Sequence, residues 1–297
     1  MLQRNFFKTI SLYFLIILTC LTGCEMTDAG KSPISSVNSS SGPGKYSGNG
    51  YYLVGTGIYD ITGPAAEVVM GGFAVDDQKT SGISMRLWSR AFIVADPADN
   101  DRRVVFVSAD TWAMCQSIKQ EVSRRLAADP ELGKYYGNDN VCLSATHSHS
   151  SVAGFSHYFL YNVPNKGFIK DSFDAVAGGI FESIKRAHAN IRPGRIYIAR
   201  GNLENAGWNR SPAMYRNNPP DERAGYDSDT DTGMTLLKFT GFDDAGREVA
   251  IGMICWFAVH PDCIGPSNRL ISGDSKGLAS YMFEKYMGGD YTDSRTF

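Results

Sequence analysis

The fold class follows from two runs of sequence, Arg103-Val-Val-Phe-Val-Ser-Ala109 and, further along the chain, Val141-Cys-Leu-Ser-Ala145. Both are short runs rich in β-branched and other apolar residues, which is typical of buried strands. Between them, residues 117–128 place apolar side chains at helical spacing. The pattern therefore predicts a strand, a helix and a second strand.

The rest of the chain extends this alternation. Apolar spacing over residues 173–187 predicts a second helix that ends before Pro193-Gly194. Gly241-Phe-Asp-Asp-Ala-Gly246 is a strong hairpin signal between two further strands. The three additional strands are predicted at residues 195–199, 234–239 and 249–259. We expect an α/β fold in which mixed β-sheets are flanked by helices within one large domain.

Composition excludes several classes of protein. The chain has 297 residues, 43% of them hydrophobic, and its 29 Lys plus Arg against 31 Asp plus Glu leave a net charge of -2. Beyond the first eight residues it has no run rich in Lys and Arg that could bind the phosphates of nucleic acid. We therefore expect no nucleic-acid partner. Gly55-Thr-Gly57 is too short for a dinucleotide loop, and Ser272-Gly-Asp-Ser-Lys276 lacks the Walker spacing, so we expect no nucleotide either.

The N-terminus reads as an export signal. Arg4 and Lys8 precede the apolar run of residues 10–21, which is short for a membrane span. Leu21-Thr-Gly-Cys24 resembles the lipobox of bacterial lipoproteins, in which the cysteine is acylated; the alternative is an ordinary cleavage site. We expect a signal peptide over 1–23, a Ser/Gly-rich spacer over 24–50 and a domain over 51–297, in an exported lipoprotein anchored to a membrane through Cys24, in the periplasm or at the cell surface.

The remaining cysteines carry little chemistry. Cys115, Cys142, Cys255 and Cys263 form no C-x-x-C pair, which excludes a zinc knuckle. Cys142 and Cys255 lie within apolar strand-like runs, where cysteine behaves as a small buried hydrophobe. We expect free, buried thiols.

Three of the five histidines follow predicted strands. His147 and His149 come after the strand at 141–145, His260 follows the strand predicted at 249–259, and Asp110 follows the first strand. Ligand sites in such sheets gather outside the carboxyl ends of strands. Alternation along a strand would place His147 and His149 on one side, about 7 Å apart. One of them could hold a metal ion while the other acts on a substrate; the alternative is a hydrogen-bonded pair that closes the strand.

A long irregular loop is predicted over residues 208–226, and long ordered loops are often functional. Arg210 could donate a planar fork of hydrogen bonds to a carbonyl or developing oxyanion. The alternative is a structural arginine that pairs with Asp221 or Glu222.

Six collinear segments, beginning near residue 52 and ending near residue 287, resemble the neutral/alkaline ceramidase family. They are Gly55-Thr-Gly-Ile-Tyr-Asp-Ile-Thr-Gly-Pro64, Arg86-Leu-Trp-Ser-Arg-Ala-Phe-Ile-Val94, Asn140-Val-Cys-Leu-Ser-Ala-Thr-His-Ser-His149, Asn209-Arg-Ser-Pro212, Trp256-Phe-Ala-Val-His260 and Leu270-Ile-Ser-Gly-Asp-Ser-Lys-Gly277. The resemblance implies zinc-dependent hydrolysis of the amide bond of ceramide to sphingosine and a fatty acid. It implies that His147 and His260 are zinc ligands, and that His149 and Arg210 act on the substrate. The implied partners are ceramide or a related N-acyl lipid and a membrane surface.

The chain departs from the family pattern in three places. The family's glutamate and tyrosine zinc ligands and its serine lie beyond residue 297, so we expect an N-terminal fragment that alone binds zinc weakly and hydrolyses little. Ser151-Val-Ala153 and Pro261-Asp-Cys-Ile264 replace the usual residues beside the expected site. The alternatives are therefore a zinc amidase for another N-acyl lipid and a non-catalytic lipid-binding surface lipoprotein.

Overall fold

Nine strands form in the part of the chain that the computed structural model describes, residues 50–289 and 291. The expected signal peptide and nearly all of the expected spacer lie outside these residues. The strands are β1 (Tyr52–Asp60), β2 (Ala66–Val69), β3 (Lys79–Ser81), β4 (Trp88–Ala95), β5 (Arg103–Ala109), β6 (Val141–Ala145), β7 (Arg192–Asn202), β8 (Gly233–Phe242) and β9 (Glu248–Phe257).

Three long helices and three short ones accompany these strands in the described residues. They are α1 (Gln116–Ala128), α2 (Phe159–Asn162), α3 (Lys170–Ala189), α4 (Pro212–Arg216), α5 (Pro220–Arg223) and α6 (Asp274–Tyr286), with a 3₁₀ turn at Leu132–Lys134. Within the described residues, no helix is both long and apolar enough to cross a membrane.

The main sheet has seven strands in the order β6-β5-β4-β1-β7-β8-β9, and β2 pairs with β3 in a small second sheet. β1 and β4 are antiparallel, as are β4 and β5, whereas β5 and β6 are parallel. The parallel pair needs a crossover connection, which the segment containing α1 provides. The predicted mixed α/β architecture is confirmed.

The chain divides into two compact units. The described part of the larger unit comprises residues 50–196, 239–252 and 261–291, without residue 290, and contains the long helices. The described part of the smaller unit comprises residues 197–238 and 253–260, which include the short helices α4 and α5. Leu203, Ala206 and Met234 form a buried apolar cluster in it.

The core of the larger unit lies between the sheet and helices α1 and α3. Buried residues alternate with more exposed ones along β5, as expected for a sheet with one face packed. The apolar face of α1 and the apolar stripe of α3 cover that face. The side chains at its centre are Ala91, Ile93, Val105, Val107, Ile118, Val122, Leu126, Val176, Ile180 and Ile184.

Three local expectations differ from the structure. β7 begins at Arg192 because Pro193 and Gly194 pair with β1, so these two residues start a strand rather than precede one. The loop expected over 208–226 contains α4 and α5, each of which begins at a proline, the residue best suited to a first helical turn. The thiols are not buried as expected, because Cys142 and Cys263 are exposed and Cys115 and Cys255 are only partly buried. Cys142 lies opposite Phe106 in the register, on the face away from α1 and α3.

Gly57 sets the distance between β1 and α3. A Cβ atom at this position would lie 2.3 Å from the Ser183 carbonyl oxygen and 2.4 Å from the Ala187 nitrogen, both backbone atoms of α3. We expect Gly57→Ala to lower the free energy of unfolding by about 3 kcal/mol, because the helix must shift to admit the methyl group. Urea denaturation measures the change, with Gly137→Ala as the control because its Cβ meets nothing within 4 Å. Equal stability of the two variants would contradict the argument.

Candidate metal centre

The segment after β6 leaves the strand at a sharp backbone turn. The amide N–H of Thr146 donates to the Ala109 carbonyl and that of His147 to the Thr111 carbonyl, both at 2.9 Å. His147 has a φ of 68°, in the left-handed region that few residues other than glycine adopt. The expectation that His147 and His149 alternate along a strand is therefore wrong, because the strand ends at Ala145.

A buried run of serines anchors this turn. Ser148, Ser150 and Ser151 are fully buried. The Ser148 hydroxyl donates to the Ser272 carbonyl at 2.6 Å, and the Ser151 hydroxyl accepts the Trp112 amide N–H at 2.9 Å. Because buried hydroxyls are costly unless they are hydrogen-bonded, these bonds fix the backbone that carries both histidines.

The Trp112 carbonyl orients the His147 ring. It is hydrogen-bonded to Nδ1 of His147. Since a carbonyl oxygen only accepts, Nδ1 carries the proton, and Nε2 of the neutral imidazole keeps its lone pair. A hydrogen bond of this kind on the far nitrogen is what orients most metal-ligating histidines in proteins.

His149 is held against His147 from the other side. Its Nε2 lies 3.2 Å from Nε2 of His147, and the side chain is buried. The ring of Phe73 packs edge-on against it at 4.4 Å between centroids. A Cβ at Gly72, which has a φ of 106°, would lie 2.4 Å from Cγ of His149, so only glycine leaves room for the ring.

Sequence reasoning missed Gly72, Phe73 and the neighbouring Gly71. A Cβ at Gly71 would lie 2.1 Å from the ring of Trp112, the residue that orients His147. The Gly71-Gly72 dipeptide was the signal available, because adjacent glycines mark backbone that approaches another group closely. The sequence does not show which group this backbone approaches, because that group comes from a distant part of the chain.

His260 lies three residues beyond the end of β9 and is exposed. The strand expected to reach His260 ends earlier, at Phe257. One ligand atom from each of His147, His149 and His260 lies within 4.8 Å of the others. Imidazole nitrogens suit zinc and several other transition metals, and Nε2 of His147 already has the required tautomer. The three histidines could therefore hold a metal ion.

The other two expected polar residues have different surroundings. Arg210 is exposed, and among the described residues it forms no ion pair with Asp221 or Glu222. Asp110 is buried, and its carboxylate accepts hydrogen bonds from Arg90 at 2.8 Å and from the Trp88 amide at 3.1 Å. Asp110 is thus a structural residue of the sheet, although it follows a strand as the histidines do.

Arg90 connects Asp110 to helix α6. Its guanidinium also makes two hydrogen bonds to the Glu284 carboxylate, at 2.5 and 3.1 Å. Burial opposes its charge, but Asp110 and Glu284 together outweigh that effect and raise the pKa of Arg90 above its ordinary value. The sequence contained no signal for this group, because its members are up to 194 positions apart.

The chain matches a known protein family over most of its length. The family is described as "Neutral/alkaline non-lysosomal ceramidase, N-terminal", and its model matches residues 52–297. This range includes all of β1–β9 and α1–α6.

Relatives and a solved structure of similar sequence are named neutral ceramidase. The neutral ceramidase of Oryza sativa is 46% identical over 235 residues, covering 79% of this chain and 29% of that protein. The neutral ceramidase of Pseudomonas aeruginosa is 44% identical over 236 residues, covering 78% of this chain and 33% of that protein. A crystal structure of neutral ceramidase from Pseudomonas aeruginosa superposes with a TM-score of 0.74 at 40% identity, covering 84% of this chain and 38% of that one. The chain thus spans about a third of the length of the curated relatives that it matches.

Proposed function

The chain belongs to the neutral/alkaline non-lysosomal ceramidase family, and we propose that it supplies the histidine part of a zinc site that hydrolyses the N-acyl amide bond of ceramide to sphingosine and a fatty acid. The observation that carries the proposal is the convergence of ligand atoms from His147, His149 and His260 within 4.8 Å. The names of the relatives support ceramide as the substrate.

His147 and His260 are the proposed ligands. For His147, the bond from Nδ1 to the Trp112 carbonyl supports this role, since it leaves the Nε2 lone pair directed away from the backbone. When bound, zinc supplies Lewis acidity toward an amide carbonyl, which is otherwise a poor electrophile.

His149 is the proposed proton-transfer residue. Its Nε2 lies 3.2 Å from Nε2 of His147, close enough to move a proton to or from a group held at the site. Burial against Phe73 restricts the ring to one orientation, which favours such a transfer. Its position also allows it to be a third ligand, and the metal-binding measurement described in the Discussion separates ligands from non-ligands.

Arg210 is proposed to bind the substrate head group or the developing oxyanion. Its exposed guanidinium has no ion pair with Asp221 or Glu222, which supports a role toward a ligand over a structural one. A planar guanidinium can donate two parallel hydrogen bonds to such an oxygen-rich group.

We further propose that the chain is the N-terminal part of a longer enzyme and an exported lipoprotein. The match to only about a third of the relatives' length supports the proposal of a longer enzyme. The sequence Leu21-Thr-Gly-Cys24 supports the proposal of a lipoprotein. A lipid on Cys24 would keep the enzyme near the membranes in which a water-insoluble substrate resides.

The test is zinc content together with hydrolysis of a fluorescent ceramide. It is made on the 297-residue chain and on the same chain continued through its downstream reading frame. We expect weak zinc binding and little turnover from the first, and stoichiometric zinc with turnover from the second. Stoichiometric zinc with cleavage of another N-acyl lipid, but not of ceramide, would support the zinc amidase chemistry and show that ceramide is not the substrate. Absence of zinc from both would overturn the proposal and favour a lipid-binding lipoprotein.

A further inference from the structure

A buried carboxylate lies at the start of α6, in a motif to which the proposed function gives no role. Asp274 is 1% exposed and has a φ of 53°. One carboxylate oxygen accepts the amide N–H of Ile264 at 3.1 Å, and the other accepts that of Ser275 at 2.5 Å. Its own amide N–H donates to the Ser272 hydroxyl at 3.1 Å.

The burial of Asp274 is not explained by packing alone. Burial raises the pKa of its carboxyl above the ordinary value, although backbone N–H groups of Ile264, Ser275 and Cys263 act in the opposite direction. An apolar residue would fill the same space without that cost. What the carboxylate adds is a fixed set of hydrogen bonds to backbone of another segment.

That segment follows His260 directly. Pro261 restricts the backbone of the histidine before it, and Cys263 and Ile264 are the residues bonded to Asp274. On its other side, His260 follows the turn in which the Val259 amide donates to the Phe257 carbonyl at 3.1 Å. The carboxylate thus holds the backbone at Cys263 and Ile264, a few residues after His260.

The same short run also holds the loop of the other two histidines. The Ser272 carbonyl accepts the Ser148 hydroxyl at 2.6 Å, and the Ser272 amide donates to the Ser150 carbonyl at 2.9 Å. Ser272-Gly-Asp274 is therefore bonded to the backbone beside His149 and to the backbone after His260.

We infer that Asp274 is a positioning residue for His260. The inference rests on the proposed metal site. Asp274 does not contact the substrate or the reacting atoms in this role. It acts through backbone that it holds in place.

The test compares Asp274→Ala and Asp274→Asn in the 297-residue chain. Zinc affinity is measured by competition with a chelator, and the visible spectrum of the cobalt-loaded chain reports ligand geometry. We expect Asp274→Ala to weaken zinc binding on the order of tenfold to a hundredfold, as loss of residues that orient ligands does, and to change the cobalt spectrum. Asp274→Asn retains one acceptor oxygen, so its zinc affinity and cobalt spectrum should lie between those of Asp274→Ala and the unmodified chain.

Asp129→Ala is the matched control, because Asp129 also accepts two backbone amides, those of Glu131 at 2.9 Å and Leu132 at 3.0 Å, next to a helix end elsewhere. It should leave zinc affinity unchanged. Hydrogen exchange at the Ile264 and Ser275 amides reports the hydrogen bonds without metal, and should accelerate in Asp274→Ala. If Asp274→Ala does not fold, Asp274→Asn carries the comparison.

Faster hydrogen exchange in Asp274→Ala with unaltered zinc affinity would overturn the positioning role but leave the proposed metal site intact. If zinc binds neither to the unmodified chain nor to the chain continued through its downstream reading frame, the metal site and the positioning role are both overturned, and faster exchange in Asp274→Ala would then report a purely structural carboxylate.

Discussion

Replacing His147 with alanine is expected to weaken zinc binding by the 297-residue chain on the order of a hundredfold or more, the largest effect of any single change at the site. The variant removes a ligand whose tautomer is already set by the Trp112 carbonyl, and structural zinc sites owe their affinity to a few such ligands. Chelator competition at fixed pH measures the affinity.

His157→Ala is the control for this prediction. His157 is an exposed histidine of the larger unit, and its ring contacts are with Phe168 and Phe173, apart from the three clustered histidines. It should bind zinc as the parent chain does. His149→Ala measured alongside distinguishes a third ligand, which would weaken binding comparably, from a proton-transfer residue, which would not. Equal affinities for His147→Ala and His157→Ala would contradict the ligand assignment.

Replacing Arg90 with methionine is expected to lower the free energy of unfolding by about 3–5 kcal/mol, the largest expected effect on stability. The substitution leaves two buried carboxylates without the cation between them, and breaking a buried ion pair from one side costs this much. Side chains of Asp110 and Glu284 are only 2% and 7% exposed, so water cannot replace the lost partner. Urea denaturation, followed by far-UV circular dichroism, measures the change.

The matched control is Arg86→Met, because the Arg86 side chain pairs with Asp60 at 2.7 Å but is 59% exposed. An exposed ion pair contributes at most about 1 kcal/mol to stability, so the free energy of unfolding of this variant should be close to that of the parent chain. Arg90→Lys keeps the charge but loses the bidentate geometry and should fall between the two. A cost below about 1 kcal/mol for Arg90→Met would show that the group is not structural.

The local elements were predictable because their signals are local. β5 and β6 have the bounds that their apolar runs predict, and α1 begins one residue earlier than expected. Strand and helix periodicities arise from neighbouring side chains on one element, so a single sequence contains them. The same holds for the family resemblance, whose motifs are short contiguous segments.

The candidate site was predictable only in its list of residues. Placement after strands identified His147, His149 and His260, but it also identified Asp110, which the structure shows in a buried ion pair with Arg90. Local sequence does not distinguish a polar residue that faces a ligand from one that faces a buried cation. Whether the strand continues through His147 was likewise undecidable, because the turn depends on hydrogen bonds to Ala109 and Thr111.

The fold class, the bounds of several elements, the family and the three histidines that could hold a metal ion all followed from local sequence. The three-dimensional fold was needed to show that the rings of His147 and His149 meet, that Nδ1 of His147 faces the Trp112 carbonyl, and that Gly72 leaves room for the His149 ring. These features depend on contacts between distant positions, such as Ser148 with Ser272, which are 124 residues apart. Such contacts form because the packed core brings separate loops to one place, and no pattern within either loop encodes the partner that it will meet.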